Sequence, residues 1–266
     1  MGTVKKIYCY LQNRWELLSL KKFTTLAGTL VFFLIMSITP FFFWLTLLIG
    51  RLPLTAEEVL SLPIFETVKD VYLFVQQEAA TATAGASVIL LFTTLYSATN
   101  LFYQMRRSGE IIYNFHQKKQ GIRIRLGALI LLFVVMIAIV VFLGIFAVGG
   151  VLFSRIFPKG LEIIADYLLL ITISFFVVLL LNVYICPHRV KLKTFLPGTV
   201  VTVLLWVGAV IGFTLYLKFG NVTRLYGALS TIIVFLLWLY ILMICFIIGV
   251  ILNSESVDAL HKKRGE

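Results

Sequence analysis

Six stretches of the chain carry no Asp, Glu, Lys or Arg, and all the charge lies between them: Phe23–Gly50, Ala79–Met105, Leu126–Ser154, Tyr167–His188, Thr194–Leu217 and Leu225–Ser254. The shortest is 22 residues long, and all are predominantly apolar. A bilayer core about 30 Å thick takes roughly 20 apolar residues of helix to cross. Backbone facing lipid must satisfy its own hydrogen bonds, and long unbroken apolar runs do not suit a barrel, so the spans are expected to be helices. The pattern predicts an all-α integral membrane protein: a six-transmembrane-helix bundle, with spans at about 23–49, 80–105, 126–153, 167–186, 196–217 and 226–253.

Two charged segments keep a helical period. In residues 1–22, Val4, Ile7, Tyr8, Leu11, Trp15 and Leu18 share one face, with Lys5, Lys6, Asn13 and Arg14 elsewhere. This reads either as a basic amphipathic helix on the inner membrane surface or as an extension of the first span packed on the bundle. In the 51–78 connection, Ile64, Phe65, Val68, Val71, Tyr72 and Val75 recur at three and four residues after Pro63. That segment is expected to be an interfacial amphipathic helix, covering the outer mouth of the bundle or lying free in the interface. Residues 1–22, a membrane domain at 23–254 and a tail at 255–266 account for the chain. The first apolar run is too long for a signal-peptide core and lacks a small-residue cleavage site, which predicts that it is retained.

Composition agrees with this picture: 61% of the 266 residues are hydrophobic, and mean hydropathy is +1.02. Charge supplies the orientation. Of 23 Lys and Arg residues, only Arg51, Lys69, Arg155, Lys159, Lys218 and Arg224 fall on one side. The rest crowd the N-terminal tail, the 106–125 and 189–193 connections and the C-terminal tail. Basic excess marks the cytoplasmic face, so both termini are expected inside a bacterial cytoplasmic membrane. The net charge of +11 is then explained by topology and by attraction to anionic lipid headgroups, without nucleic acid.

Candidate chemistry is sparse. Cys9, Cys186 and Cys245 form no CxxC, and none lies in an outer connection where a disulfide would persist. His116, His188 and His261 are all placed in cytoplasmic segments, with no metal-ligand spacing. HExxH, GxSxG and Walker-type sequences are absent, and no span contains Asp, Glu or Lys. The sequence thus predicts no enzyme, no metal and no cofactor.

The polar residues inside spans are the remaining candidates. Thr93, Thr94, Tyr96, Ser97, Thr99 and Asn100 crowd the inner half of span two, and Asn182 lies near the inner end of span four. Thr93, Ser97 and Asn100 share a helical face and are expected to point into the bundle, near Asn182 or a kink at Pro40. The candidate polar interior or substrate path is therefore Thr93, Tyr96, Ser97, Asn100 and Asn182; interhelical hydrogen bonding is the competing reading. In span five, Gly208 and Gly212, four apart, are expected to let helices approach closely. Trp206, Trp238 and Tyr240 lie too deep for an interfacial belt, and the Trp206 indole N–H calls for a partner.

Several of these elements together resemble the YihY/BrkB family. They are Ser37-x-x-Pro40 in span one, Tyr184-Ile-Cys-Pro187, Leu196-Pro197-Gly198, Leu205-Trp206, Tyr226-Gly227-Ala228-Leu229, Leu237-Trp238-Leu239-Tyr240, and finally Gly249 and Asn253. Asn100 sits where members tend to have asparagine, and the likeness covers most of residues 23–253. The family's Gly-Ala-Glu reads Gly249-Val250-Ile251 here, so an acidic group is missing. The resemblance implies a six-span inner-membrane protein. A ribonuclease label attached to some members finds no supporting residues in this chain. The function expected is transporter-like: movement of a lipid, lipid-linked molecule or small solute without intrinsic ATP hydrolysis. The alternative is a structural or assembly protein that acts through helix–helix contacts with a second copy or a membrane-protein partner.

Overall fold

The computed structural model describes residues 18–49, 92–115, 121–156, 161–219 and 228–264. Every regular element among them is helical: α1 (Phe23–Ile49), α2 (Asn100–Ile112), α3 (Gly121–Ile156), α4 (Leu161–Ile185), a 3-10 turn (Leu192–Phe195), α5 (Leu196–Phe219) and α6 (Ala228–Arg264). Residues 92–98 are also helical and lead into α2 through a turn at Thr99. The i to i−4 ladder runs through that turn, from the Thr99 N–H to the Leu95 carbonyl (3.2 Å) and from the Tyr103 N–H to the Thr99 carbonyl (3.0 Å).

Among the described residues, four helical stretches are long and apolar enough to cross a membrane: Gly121–Phe142, Tyr167–Ile185, Leu192–Lys218 and Ile232–Lys262. Phe23–Ile38 is a shorter apolar stretch of the same kind. The first half of the expected second span, residues 1–17 of the expected amphipathic helix at 1–22, the one expected at 64–75, and Tyr226 and Gly227 lie outside the described residues. The helices display large apolar side chains outward, with Leu204 65% and Ile232 56% exposed. In water such surfaces would be costly; in a bilayer, hydrocarbon covers them.

The chain divides into two compact units, one of residues 1–32, 104–119 and 174–266, the other of 33–103 and 120–173. In the first, α5 and α6 pack most extensively, and the 3-10 turn touches both. Their closest approach is at Gly198 and Gly249: a Cβ on Gly198 would overlap the Gly249 carbonyl and the Asn253 amide, and one on Gly249 would overlap the Thr202 hydroxyl. Gly109 likewise lets α2 lie against the Ile185 carbonyl. Gly208 and Gly212 behave otherwise than their spacing suggested. Nothing lies within 4 Å of a Cβ on either. The spacing shows that a helix can be approached, but contact also needs a partner backbone on that face, and α6 meets α5 through Gly198 instead.

Two non-glycine residues have positive φ, Lys22 and Asn114, both at 51°. Lys22 separates the helical residues 18–20 from α1, so those residues are not a continuous extension of the first span. Asn114 ends α2. The Phe115 N–H reaches the Glu110 carbonyl (2.9 Å) and the Asn114 N–H the Ile111 carbonyl (3.3 Å), the bonding of a Schellman cap with asparagine in the left-handed position.

The glycine contacts give the first prediction. Gly249→Ala lowers thermal stability by about 1–3 kcal/mol through overpacking against Thr202. Gly208→Ala, with open space around it, is neutral or stabilising by up to about 1 kcal/mol from helix propensity. Unfolding midpoints in detergent measure both.

Candidate functional site

In the second unit, the polar patch of span two is organised around a residue that the sequence presented only as an inner-face charge. Arg125 donates from Nη1 to Asn100 Oδ1 (2.7 Å) and from Nη2 to the Tyr96 hydroxyl (2.8 Å). Its Cζ lies 4.1 Å from the ring centroids of both Tyr96 and Tyr103. A guanidinium flanked by two aromatic rings and held by two hydrogen bonds is a pinned cation. It ties the start of α3 to residues 96–103. Thr93 and Tyr96 are exposed, and Ser97 and Asn100 half-buried. The Ser37 hydroxyl donates to the Ser97 carbonyl (2.9 Å). The serine of the Ser-x-x-Pro40 element therefore serves a neighbouring segment.

Asn182 belongs to the first unit and is fully buried. Its Nδ2 donates to the Thr199 hydroxyl (3.0 Å), which donates in turn to the Phe195 carbonyl (2.8 Å). One residue earlier, Asn253 Oδ1 accepts from the Gly198 N–H (2.8 Å). The first-turn N–H groups of a helix have no intrahelical partner. At α5, Pro197 has no N–H to satisfy and Asn253 satisfies Gly198 from α6. Further along, Trp206 Nε1 donates to the Leu242 carbonyl (2.9 Å), while Trp238 stacks on Phe213 with centroids 5.3 Å apart. Tyr240 approaches α1, its hydroxyl 3.4 Å from the Thr24 carbonyl.

A second cluster in this unit gathers segments far apart in sequence. Lys21 Nζ donates to the Ile112 carbonyl (2.9 Å) and to the Ser254 hydroxyl (2.6 Å). Arg106 Nη1 donates to the Tyr184 carbonyl (2.6 Å) and to the Cys186 carbonyl. Cations on helix C-terminal carbonyls complement both hydrogen bonding and the helix dipole. At α2 the accounting closes: Tyr113, Phe115, Asn114 and Lys21 serve the carbonyls of Gly109, Glu110, Ile111 and Ile112. Beside these caps, the His188 ring contacts Phe115 and His261, each at 5.0 Å between centroids. Pro187, next to it, is half-buried.

Burial pushes Lys21 below its ordinary pKa, against the pull of Asp258 and Glu255. Burial likewise raises the Tyr113 phenol above its usual value. Among the described residues, no group of three or more His, Cys, Asp or Glu is placed to hold a metal ion. The pairing of His188 with His261 had no signal in the sequence, where the two are 73 positions apart.

The α5–α6 pair also bears two concavities. One, of about 300 Å³, is lined entirely by apolar and aromatic residues and glycine, among them Gly212, Phe213, Tyr216, Leu237 and Trp238. The other, of about 350 Å³, lies at the opposite end of the pair, against Lys193, Thr194, Pro197, Ser256, Ala259 and Leu260.

Helices with long uncharged apolar runs and outward apolar side chains, polar residues spent on interhelical bonds and basic residues on helix ends define an α-helical membrane protein. Comparison with known proteins agrees. The profile of the family described as Virulence factor BrkB matches residues 15–266, and the chain belongs to that family. A UPF0761 membrane protein of Coxiella burnetii is 30% identical over 190 residues, 67% of this chain and 66% of the relative's length. The match thus spans about two thirds of that relative. A ribonuclease-like protein of Bacillus subtilis, YfkH, is 23% identical over 256 residues, 90% of each chain. A UPF0761 membrane protein of Xanthomonas campestris is 33% identical over 84 residues, 31% of this chain and 20% of the relative. No solved structure matches the chain.

The histidine cluster sets a pH dependence. Burial holds His188 below the ordinary imidazole value; His261 and Arg106 push the same way, and Asp258 and a backbone hydrogen bond with Tyr113 oppose them. The unfolded chain therefore binds more protons at this site than the folded one as pH falls through about 6.5. Stability is full above that pH and is lost progressively below it, down to the folded-state value. Thermal midpoints between pH 7.5 and 5.5 are expected to fall, and His188→Phe to flatten that slope.

Proposed function

We propose that this chain is a six-span protein of a bacterial cytoplasmic membrane with both termini inside, and that it moves a lipid or lipid-linked molecule without hydrolysing ATP. The topology is supported by the company that the basic segments keep. Lys21, the 106–115 segment, the residues after α4 and the end of α6 meet in one cluster, so these four segments share a side. An even number of crossings then separates each from the next. In a background lacking Cys9, Cys186 and Cys245, an impermeant thiol reagent added to intact cells is expected to label Asp70→Cys and not His116→Cys. The reverse pattern would sink the orientation.

The lipid reading is carried by the apolar cleft between α5 and α6. Its walls offer hydrocarbon contact and no charge, as suits an acyl or prenyl chain better than a hydrated solute. The uncharged runs at 196–217 and 226–253 contain no Asp, Glu, His, Lys or Arg that could couple movement to protons. Nuclease chemistry, which the name of the Bacillus relative would suggest, is not supported by the one histidine pair among the described residues. The His188 and His261 rings touch, leaving no room for a phosphodiester between an acid and a base. The assembly reading draws on Gly208 and Gly212, whose open face could receive another helix. Scrambling of a fluorescent phospholipid in liposomes containing only this protein separates the two. Exchange above protein-free liposomes, independent of ATP, is expected; exchange at the protein-free rate supports assembly instead.

A further inference from the structure

The concavity at the start of α5 is walled by unlike groups. Lys193 supplies an exposed ammonium, Thr194 and Ser256 supply hydroxyls, and Pro197, Ala259 and Leu260 supply apolar surface. Pro197 stands in the first turn of a 24-residue helix, so the positive end of its dipole adjoins the wall. On α6, Ser256 and Leu260 lie four residues apart on the wall of the groove; Asp258 falls on the far side of the helix, and Glu255, four residues before Ala259, borders the groove. Both act on Lys21, and Asp258 acts also on His188. Lys193 and the start of α5 supply the positive charge of the wall, while the neighbouring carboxylates are engaged with Lys21. The volume, about 350 Å³, is on the scale of a small-molecule site. It opens where two membrane-crossing helices reach the basic side of the protein.

From these features we infer that the groove between the 3-10 turn, the first turn of α5 and the last turns of α6 binds the headgroup of an anionic phospholipid of the inner leaflet. Lys193 takes the phosphate and the Thr194 hydroxyl donates to one of its oxygens; the Ser256 hydroxyl, which donates to the Leu252 carbonyl (3.3 Å), accepts from the glycerol, and Pro197, Ala259 and Leu260 contact the glycerol and the first methylenes. A free phosphate would use only the cation and the hydroxyls. The apolar half of the wall and the adjoining bilayer favour a lipid. Basic pockets between membrane helices on the cytoplasmic side commonly hold such headgroups. The inference deepens the lipid-handling reading and rests on the orientation given there only for the choice of leaflet.

Native mass spectrometry of the full chain in nonionic detergent tests it, with phosphatidylglycerol, phosphatidylcholine and inorganic phosphate as separate probes. One phosphatidylglycerol is expected to be retained in preference to phosphatidylcholine. Lys193→Ala should weaken retention about fivefold, Lys193→Glu more, and Lys193→Arg little. Lys218→Ala, at the other end of α5, should leave it unchanged. Lys193 is exposed, so unfolding midpoints are expected to stay put and exclude a folding defect. Equal retention by wild type and Lys193→Glu, equal loss in Lys218→Ala, or binding of phosphate without phosphatidylglycerol would each overturn the site. Because binding is read without transport, retained lipid with no scrambling would refute the transport reading and leave the site standing.

Discussion

Backbone groups at helix ends shape this protein, because the ends at Ile112, Ile185 and Gly198 are buried within the protein, away from water that would satisfy them. An unpaired N–H or carbonyl in such surroundings costs several kcal/mol. Here the partners come from elsewhere in the chain. Asn253 serves the Gly198 N–H from 55 positions away, Arg106 the Tyr184 carbonyl from 78, and Lys21 the Ile112 carbonyl from 91. Each bond closes a local requirement and at the same time joins two membrane segments. Helices whose outward faces are covered by hydrocarbon gain little from burying apolar surface against one another. Polar ties and close backbone contacts such as Gly198 against Gly249 therefore carry much of the specificity.

The same requirement explains how much could be read from sequence. Helicity in α3, α4, α5 and α6 follows from long uncharged runs, because lipid leaves the backbone no other choice. The need of Trp206 for a hydrogen-bond partner followed from its depth, and the Leu242 carbonyl answers it. Pairings between helices were not legible in advance. Lys21, Arg106 and Arg125 looked like interchangeable inner-face charges, yet two cap helix C-termini and one is held between Tyr96 and Tyr103. Gly208 and Gly212 carried the spacing associated with close packing, whereas Gly109, Gly198 and Gly249 make the close contacts. Spacing along one helix contains no information about which face a second helix will meet.

The polar residues that stood out in the spans are largely occupied within the protein. Asn100 holds Arg125, Asn182 holds Thr199 through Nδ2 and Asn253 holds Gly198 through Oδ1, while Asn182 Oδ1 and Asn253 Nδ2 are buried without a hydrogen-bond partner. What α5 and α6 leave available lies at their two ends, an apolar cleft around Trp238 at one and a basic, hydroxyl-bearing groove around Lys193 at the other. These surfaces match the tail and the headgroup of the solvent in which the protein sits.

The account stands on helix ends being held by residues from other helices, and the Asn253–Gly198 bond is its clearest instance. Hydrogen exchange at the amides of residues 196–202, compared between the wild type and Asn253→Ala in nanodiscs, tests it directly. Loss of the acceptor should accelerate exchange at Gly198 and its neighbours by about fivefold or more, as expected for loss of a bond worth about 1–3 kcal/mol, while the far half of α5 keeps its protection. Unchanged protection at Gly198 would show that the start of α5 is held by something else, and would contradict the account.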